Sequence, residues 1–265
     1  MKRLFTFFII LFFTQGYGQD LEMDAELIEL NHHYSSNPTN FSLFQNKLYF
    51  NAIHKGLDNY SIFNYDGDDI EMMKNSEGEG ILSGPPIKGD NVLYFFGKTE
   101  KDFEYTNYLW VSNGEENSAI PLLELDGFAE LLFTIGNRLF FLYSGPYGKY
   151  LWTSNGTVES TIELKELHWT AQNGSYVKDL IEYQGKLFFL TDDPAYGEEL
   201  WVSDGTVNGT HMVKDIGEGS QSSGISSLFI FNEKIYFVAN DGVKGYELWT
   251  SDGTNSGTYI LKDIN

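Results

Sequence analysis

A unit of about 47 residues recurs five times, and this period decides what the chain can fold into. The stretches KLYFNA, VLYFFG, RLFFLY, KLFFLT and KIYFVA begin at residues 47, 92, 138, 186 and 234. Their central aromatics, Tyr49, Tyr94, Phe140, Phe188 and Tyr236, are spaced 45, 46, 48 and 48 residues apart. A second anchor lies in SIFNYDG, YLWVSNG, YLWTSNG, ELWVSDG and ELWTSDG. Its aromatics, Phe63, Trp110, Trp152, Trp201 and Trp249, are spaced 47, 42, 49 and 48. Two independent anchors with one period identify an array of like supersecondary units.

Each period reads as four short strands. In the last unit they are SSLFIFN, KIYFVAN, YELWTS and TYILKDI. Short turns such as GN, QG and NE separate the first two strands, and NGT or DGT opens the link from the third to the fourth. Asp-Gly and Asn-Gly suit the positive φ of hairpin turns. The second strand is apolar on successive residues rather than alternating, so LFFL and IYFV need cover on both faces. A four-stranded sheet covered on both faces and repeated at this interval is a propeller blade between two others. The expected fold is therefore all-β, a β-propeller of about five four-stranded blades. The units run over about 37–80, 81–125, 126–171, 172–220 and 221–265, within a repeat domain covering 19–265. AELIELN, residues 25–31, has the fourth-strand pattern and is expected to act as a closing strand that removes an exposed edge.

The last two units also carry a resemblance. Glu199-Leu200-Trp201 with Asp204-Gly205-Thr206, and Glu247-Leu248-Trp249 with Asp252-Gly253-Thr254, are followed by Gly209-Thr210 and Gly257-Thr258 and then by VKDI and LKDI. These residues resemble the bacterial ELWxxDGT repeat family. Units two and three match it more loosely, with YLWVSNG and YLWTSNG, and unit one keeps little beyond YDG. The resemblance implies an exported, propeller-like protein and assigns no reaction.

The N-terminus agrees with export. Lys2 and Arg3 precede the apolar run LFTFFIILFF, which is too short to span a bilayer. Gly16 and Gly18 stand at the −3 and −1 places for a cut before Gln19. Residues 1–18 are thus expected to be a signal peptide, and the mature chain secreted, periplasmic or on the cell surface. No later stretch is long and apolar enough for a transmembrane helix. Loss of Lys2 and Arg3 moves the net charge from −21 to −23, a balance that repels nucleic acid and anionic lipid. The absence of cysteine removes disulfides and a cysteine-linked lipid anchor.

The repeated block holds carboxylates, hydroxyls and tryptophan, so it invites a catalytic reading. Comparison of its own copies argues otherwise. Where units four and five have Asp204 and Asp252, units two and three have Asn113 and Asn155, and Glu199 and Glu247 become Tyr108 and Tyr150. Asn replaces Asp in a turn but not as a general base or hard-metal ligand. The tryptophan and the following glycine persist. Trp110, Trp152, Trp201 and Trp249 are therefore expected between blades. Gly114, Gly156, Gly205 and Gly253, with Asp204 and Asp252, are expected to shape hairpins. No catalytic residue or cofactor is assigned. Calcium is the one metal considered, through Asp192, Asp193 and Asp241 in the loops between second and third strands. The five histidines show no zinc spacing.

The functional expectation is an exported, non-catalytic binding or scaffold module for extracellular glycan or a surface protein. The alternatives are a propeller-type glycosidase or lyase, or a truncated piece of a longer adhesin. An enzyme of that kind needs an acid pair near the central pocket. The first strands offer little beyond Glu130 and Glu182.

Overall fold

The computed structural model describes residues 36–53, 60–101, 104–146, 148–168 and 177–264. The signal-like segment 1–18 and the closing strand expected over 25–31 lie outside the described residues. Every regular element among the described residues is a β-strand.

Blade one consists of β1 (Thr39–Phe44), β2 (Lys47–Ile53), β3 (Tyr60–Tyr65) and β4 (Ile70–Met72). Blade two holds β5 (Leu82–Ser83), β6 (Ile87–Lys88), β7 (Leu93–Lys101), β8 (Glu104–Ser112) and β9 (Ile120–Leu125). Blade three is β10 (Phe128–Ile135), β11 (Arg138–Gly145), β12 (Gly148–Ser154) and β13 (Ile162–Leu167). Blade four is β14 (Lys178–Tyr183), β15 (Lys186–Asp193), β16 (Gly197–Ser203) and β17 (His211–Met212). Blade five is β18 (Ser226–Phe231), β19 (Lys234–Asn240), β20 (Tyr246–Ser251) and β21 (Tyr259–Lys262). Within each blade, successive strands pair antiparallel, except that β5 and β6 of blade two both pair with β7. The chain is an all-β propeller of five blades.

Blade two departs from the four-strand plan. Its first strand is cut in two by Gly84-Pro85-Pro86, because proline cannot donate to a ladder. The outer piece, β5, pairs with β3 through Leu82 and Ser61, and with β7 through Leu82–Lys98 and Ser83–Gly97. Blades one and two are thereby stitched into a single nine-stranded sheet. The other three blades are separate four-stranded sheets.

Local chemistry sets the turns. The two-residue turns Gln45-Asn46, Gln184-Gly185 and Asn232-Glu233 have positive φ at both positions, as a hairpin matched to strand twist requires. The first strands of blades one, four and five each carry a bulge, with Asn40, Asp179 and Ser227 in the left-handed region.

The core lies between blades rather than within one. Each blade turns one face forward to the next and one backward to the preceding blade. Phe140, Leu142 and Leu151 of blade three meet Leu187, Phe189 and Trp201 of blade four. Phe188, Leu190 and Leu200 of blade four meet Ile235, Phe237 and Trp249 of blade five. Adjacent residues on a second strand therefore serve opposite layers, and in β11 and β15 both sets are buried. Each rear-facing tryptophan sits opposite a phenylalanine of its own second strand: Phe95–Trp110, Phe141–Trp152, Phe189–Trp201 and Phe237–Trp249. Trp110, Trp201 and Trp249 are buried and Trp152 is half-buried. The indole N–H of Trp110 donates to the Gly97 carbonyl at 3.2 Å, and that of Trp249 to the Ala239 carbonyl at 3.1 Å.

Specific contacts then lock each blade to the next. Tyr49 donates its hydroxyl to the Gly114 carbonyl at 3.1 Å, and Tyr94 donates to Asn137 O at 2.6 Å. Arg138 Nη1 donates to the Asp204 carbonyl, and Tyr183 donates to Glu233 O at 2.5 Å. A methyl group built on Gly253 would lie 2.8 Å from the Phe188 ring, and one on Gly114 would lie 2.9 Å from the Tyr49 hydroxyl. The hairpin glycine therefore answers two demands, positive φ and the close approach of the preceding blade.

Replacing Trp249 with alanine empties this layer and is expected to cost about 3–5 kcal/mol. Val243, 87% exposed in a loop, is the matching control, and its replacement by alanine is expected to change stability by less than about 0.5 kcal/mol. Urea denaturation of both variants measures the difference.

Candidate functional site

The ELW…DGT block folds into a closed hydrogen-bonded loop. In blade four, Ser203 Oγ contacts Thr210 Oγ1 at 2.7 Å and accepts the Gly205 amide at 3.1 Å, while Thr210 donates to the Thr206 carbonyl at 2.7 Å. Asp204 Oδ1 accepts both the amide and the hydroxyl of Thr206, at 2.9 and 2.7 Å. Blade five repeats every contact through Ser251, Asp252, Gly253, Thr254 and Thr258. Blade three keeps the hydroxyl pair Ser154–Thr161 at 2.8 Å, and blade two Ser112–Ser118 at 2.8 Å. Only the glycine of each pair, Gly114, Gly156, Gly205 or Gly253, has positive φ. The preceding residue does not adopt it; Asp204, Asp252 and Asn113 accept an amide with the side chain instead, and in blade three Ser160 Oγ accepts the amides of Asn155 and Thr157. Of the two turn roles that Asp or Asn can fill, left-handed backbone or Asx-turn acceptor, Asp204 and Asp252 fill the second. The threonine hydroxyl hydrogen bond, followed by the backbone one, holds the Asp204 carboxyl below its ordinary range, and the same order holds at Asp252.

Glu199 and Glu247 hold the chain after the fourth strand. In blades two and three that strand is long, and Tyr108 and Tyr150 pair opposite Glu124 and Glu166. In blade four, β17 ends at Met212 and the backbone peels away. Glu199, fully buried, accepts the Gly217 amide at 2.8 Å and the Ser223 hydroxyl at 2.8 Å. Glu247 accepts the Ile264 amide at 3.0 Å. The exchange of Glu for Tyr among repeats thus accompanies two ways of holding the outer strand. Burial pushes the Glu199 carboxyl up to about 7, against its hydrogen bonds and with some help from the nearby Asp215 charge.

The calcium candidates do not converge. Asp193 pairs with Lys165 of the preceding blade at 3.3 Å and accepts the Ala195 amide at 3.0 Å. Asp192 lies beside Glu198, which is itself paired with Lys178 at 2.7 Å. Asp241 accepts the amides of Val243 and Lys244 in a different blade's loop. Among the described residues no group of three or more His, Cys, Asp or Glu is arranged to hold a metal ion. Glu130 and Glu182 are both exposed, and Glu182 caps its own turn by accepting the Gly185 amide at 2.8 Å.

A different feature has the character of a binding site. A cavity of about 670 Å³ opens where the first strands of blades one, two and three begin. The break at Gly84-Pro85-Pro86 makes room for it, and Asn40 lines one side. On its floor, Asn51 is 1% exposed and donates both amide hydrogens, to Ser83 O and Gly84 O at 3.1 Å each. Those two carbonyls fix the amide, so Oδ1 faces away from them and has no protein partner among the described residues. The buried Ser83 hydroxyl also lacks one, as does Ser61 just behind it. Three of the seven such orphaned atoms among the described residues fall at this place. Phe96 and Phe128 supply aromatic surface, and Phe128 is 71% exposed. Tyr60, Lys98 and Asn107 complete the polar wall, and no carboxylate lines the cavity among the described residues. Periodicity did not find this site, because it depends on what blade two lacks. The sequence signal was the Gly-Pro-Pro interruption at a first-strand position.

No protein-family model matches the chain, and no curated protein does. Among solved structures, oligopeptidase B from Leishmania major is similar over 88% of this chain and 35% of its own, with 12% identity and a TM-score of 0.45. The β-propeller domain of the trilobed protease from Pyrococcus furiosus is similar over 87% of this chain and 69% of its own, at 12% identity and a TM-score of 0.43. A puromycin hydrolase matches over 82% of this chain and 44% of its own, with 11% identity and a TM-score of 0.41. The chain spans less than half the length of oligopeptidase B and of the puromycin hydrolase. Likenesses this loose carry no argument about its activity.

Two measurements address the block. Glu199 is protonated in the fold below pH about 7 and ionised in the unfolded chain above about 4.5, so the folded state binds the extra proton between those values. Stability from this group is full below about 4.5 and is lost as pH rises to about 7, by about 3 kcal/mol. Glu199→Gln is expected to flatten that region of a stability–pH curve. At the hairpin, Asp252→Asn is expected to be nearly neutral and Asp252→Ala to cost about 1 kcal/mol, measured by thermal unfolding.

Proposed function

We propose that this chain is an exported β-propeller that binds a neutral, hydroxyl-rich glycan without transforming it. The observation that carries the reading is the cavity floor. Asn51 Oδ1 is a buried acceptor and Ser83 Oγ a buried hydroxyl, both without protein partners among the described residues. An orphaned buried polar atom costs about 1–3 kcal/mol, and both atoms are closed off from solvent, so a ligand hydroxyl recovers that cost by turning the Asn51 or Ser83 side chain toward the cavity. Phe96 and Phe128 add apolar platforms of the kind that cover a sugar ring's C–H face. A phosphate or sulfate ligand fits poorly, since Lys98 is the one cation on the described wall. A glycosidase of the two-carboxylate type finds no acid pair on this wall. Export is supported by the charged, apolar and small-residue sequence of positions 2–18 and by the resemblance of blades four and five to ELWxxDGT repeats.

The test is a glycan-array screen of chain 19–265, with and without calcium, followed by titration of the best ligand. Phe128→Ala is expected to weaken binding roughly tenfold and leave the melting temperature in place, since the side chain is exposed. Ser83→Ala is expected to lower affinity while leaving stability unchanged or raised, because it removes an orphaned hydroxyl. Binding indifferent to both variants would move the site elsewhere. Turnover of the glycan would replace the binding reading with an enzymatic one.

A further inference from the structure

The connector from blade four to blade five is seated on the first residues of β16. Every residue of that strand is buried, whereas Gly148, Lys149 and Tyr150 at the start of β12 are half-buried and Tyr246 at the start of β20 is exposed. The cover is the segment 217–223. A methyl group built on Gly197 would lie 2.6 Å from the Ser222 amide nitrogen, so the segment lies directly on the strand. Ser222 Oγ accepts the Glu198 amide at 3.0 Å, the Ser223 amide donates to Glu198 O at 3.2 Å, and the Gly217 amide donates to Glu199 Oε1 at 2.8 Å. At its far end the segment reaches blade five, where Ser223 O accepts the Asn240 amide at 2.8 Å.

The hydrogens around Glu199 serve every acceptor when its carboxyl is neutral. Ser223 Oγ, fully buried, lies 2.8 Å from Glu199 Oε2 and 3.1 Å from the Glu198 carbonyl. A hydroxyl carries one hydrogen and cannot donate fully to both. With Glu199 protonated, Glu199 donates to Ser223, and Ser223 passes its own hydrogen to Glu198 O. With Glu199 ionised, Ser223 turns its hydrogen to the carboxylate, and a negative charge sits in a site with 0% exposure. No cation among the described residues pairs with it. Asp215 on the connector adds a like charge. Its Oδ2 accepts the Gly219 amide at 3.1 Å, and its Oδ1 is closed off from solvent without a protein partner among the described residues. Other charged groups nearby are engaged elsewhere. Glu198 pairs with Lys178 at 2.7 Å, Lys165 of blade three pairs with Asp193 at 3.3 Å, and Lys214 reaches the Thr258 carbonyl at 2.9 Å. On β15, uncharged Thr191 stands opposite Glu199 and Asp192 stands opposite Glu198. Glu218 on the connector is exposed. Burial is accordingly the leading cause that pushes the Glu199 carboxyl up to about 7.

We propose that segment 217–223 is a pH-sensitive strap over the start of β16, latched while Glu199 keeps its proton and released as Glu199 ionises. When the strap lifts, water reaches the carboxylate and screens it from Asp215. The anchors on either side, Ile216 and Ile225, stay in the apolar layer between blades four and five, which limits the motion to the segment between them. Seated Glu199 binds its proton more tightly than released Glu199, which titrates as an ordinary glutamate at about 4.5. The seated state is therefore favoured most fully below about pH 4.5, and it loses ground about tenfold per pH unit until about 7, where the opening levels off.

Hydrogen exchange of the Gly217 and Ser223 amides reads the strap directly, because both are bonded to β16 only while it is seated. Corrected for the intrinsic exchange rate, their protection is expected to fall about a hundredfold or more between pH about 4.5 and about 7 and then to level off. Urea below the unfolding transition should leave this exchange unchanged, as for a local opening. Glu199→Gln keeps the shape of the side chain and its hydrogen bonds without a titrating group. It should hold the protection of both amides level across the same range, with near-ultraviolet circular dichroism like that of the unmodified chain. Three outcomes overturn the proposal. One is protection that does not change with pH in the unmodified chain. Another is an equal fall in Glu199→Gln. The third is exchange that quickens with urea from the lowest concentrations, which would mark unfolding of the whole chain.

Discussion

The contact of a second-strand aromatic with the next blade's hairpin glycine is the constraint on which the rest of this structure depends. Phe188 on Gly253, and Tyr49 on Gly114, bring one sheet's central side chain against another sheet's turn. Only glycine admits that approach while also adopting positive φ. Once the turn is fixed there, the third strand enters in register and places its tryptophan opposite the second-strand phenylalanine. The apolar layer then fills. A single blade can do none of this, since its best hydrophobic residues lie on two opposite faces. The repetition in the sequence is the repetition of this interface, with the Arg138 side chain in the aromatic's place against Gly205.

Within the hairpin, stability is local and polar. The Ser–Thr hydroxyl pair and the Asp or Asn acceptor satisfy amides that would otherwise be stranded at the edge of the layer. A dense cluster of Ser, Thr, Asp and Gly therefore signals a well-made turn here, even though the same residue types make up many active sites. Glu199 shows the complementary case. Its carboxylate takes over the role of a strand ladder where the backbone has left, and burial raises its proton affinity as a consequence.

Much of the architecture was legible because it is periodic. The spacing of Tyr49 to Tyr236 and of Phe63 to Trp249 marked out the blades, and consecutive apolar residues in LFFL marked their two covered faces. What was illegible breaks the period. The divided first strand of blade two follows from Pro85 and Pro86, and the cavity beside it follows from that gap. Copy-to-copy comparison suppresses such features because it weighs only what is shared. It also takes the change from Glu199 to Tyr108 for indifference to charge. In the fold that change marks a different way of holding the fourth strand. The orphaned atoms of Asn51 and Ser83 depend on which backbone carbonyls happen to lie nearby, and no pattern of residue types encodes that.

The strand β5 has a mechanical meaning as well. Elsewhere no strand ladder joins one blade to the next, only side chains and single backbone hydrogen bonds such as Asp90 N–H to Gly136 O, so an opening fluctuation can separate a single seam and leave each sheet whole. Between blades one and two the ladder itself is continuous through Ser61, Leu82 and Lys98. Amide hydrogens there exchange with solvent only when both sheets come apart together, which makes this pair a single cooperative unit at one end of a divisible array. The cavity sits against that unit. A ligand bound there, as proposed above, would be gripped where the array is least able to breathe.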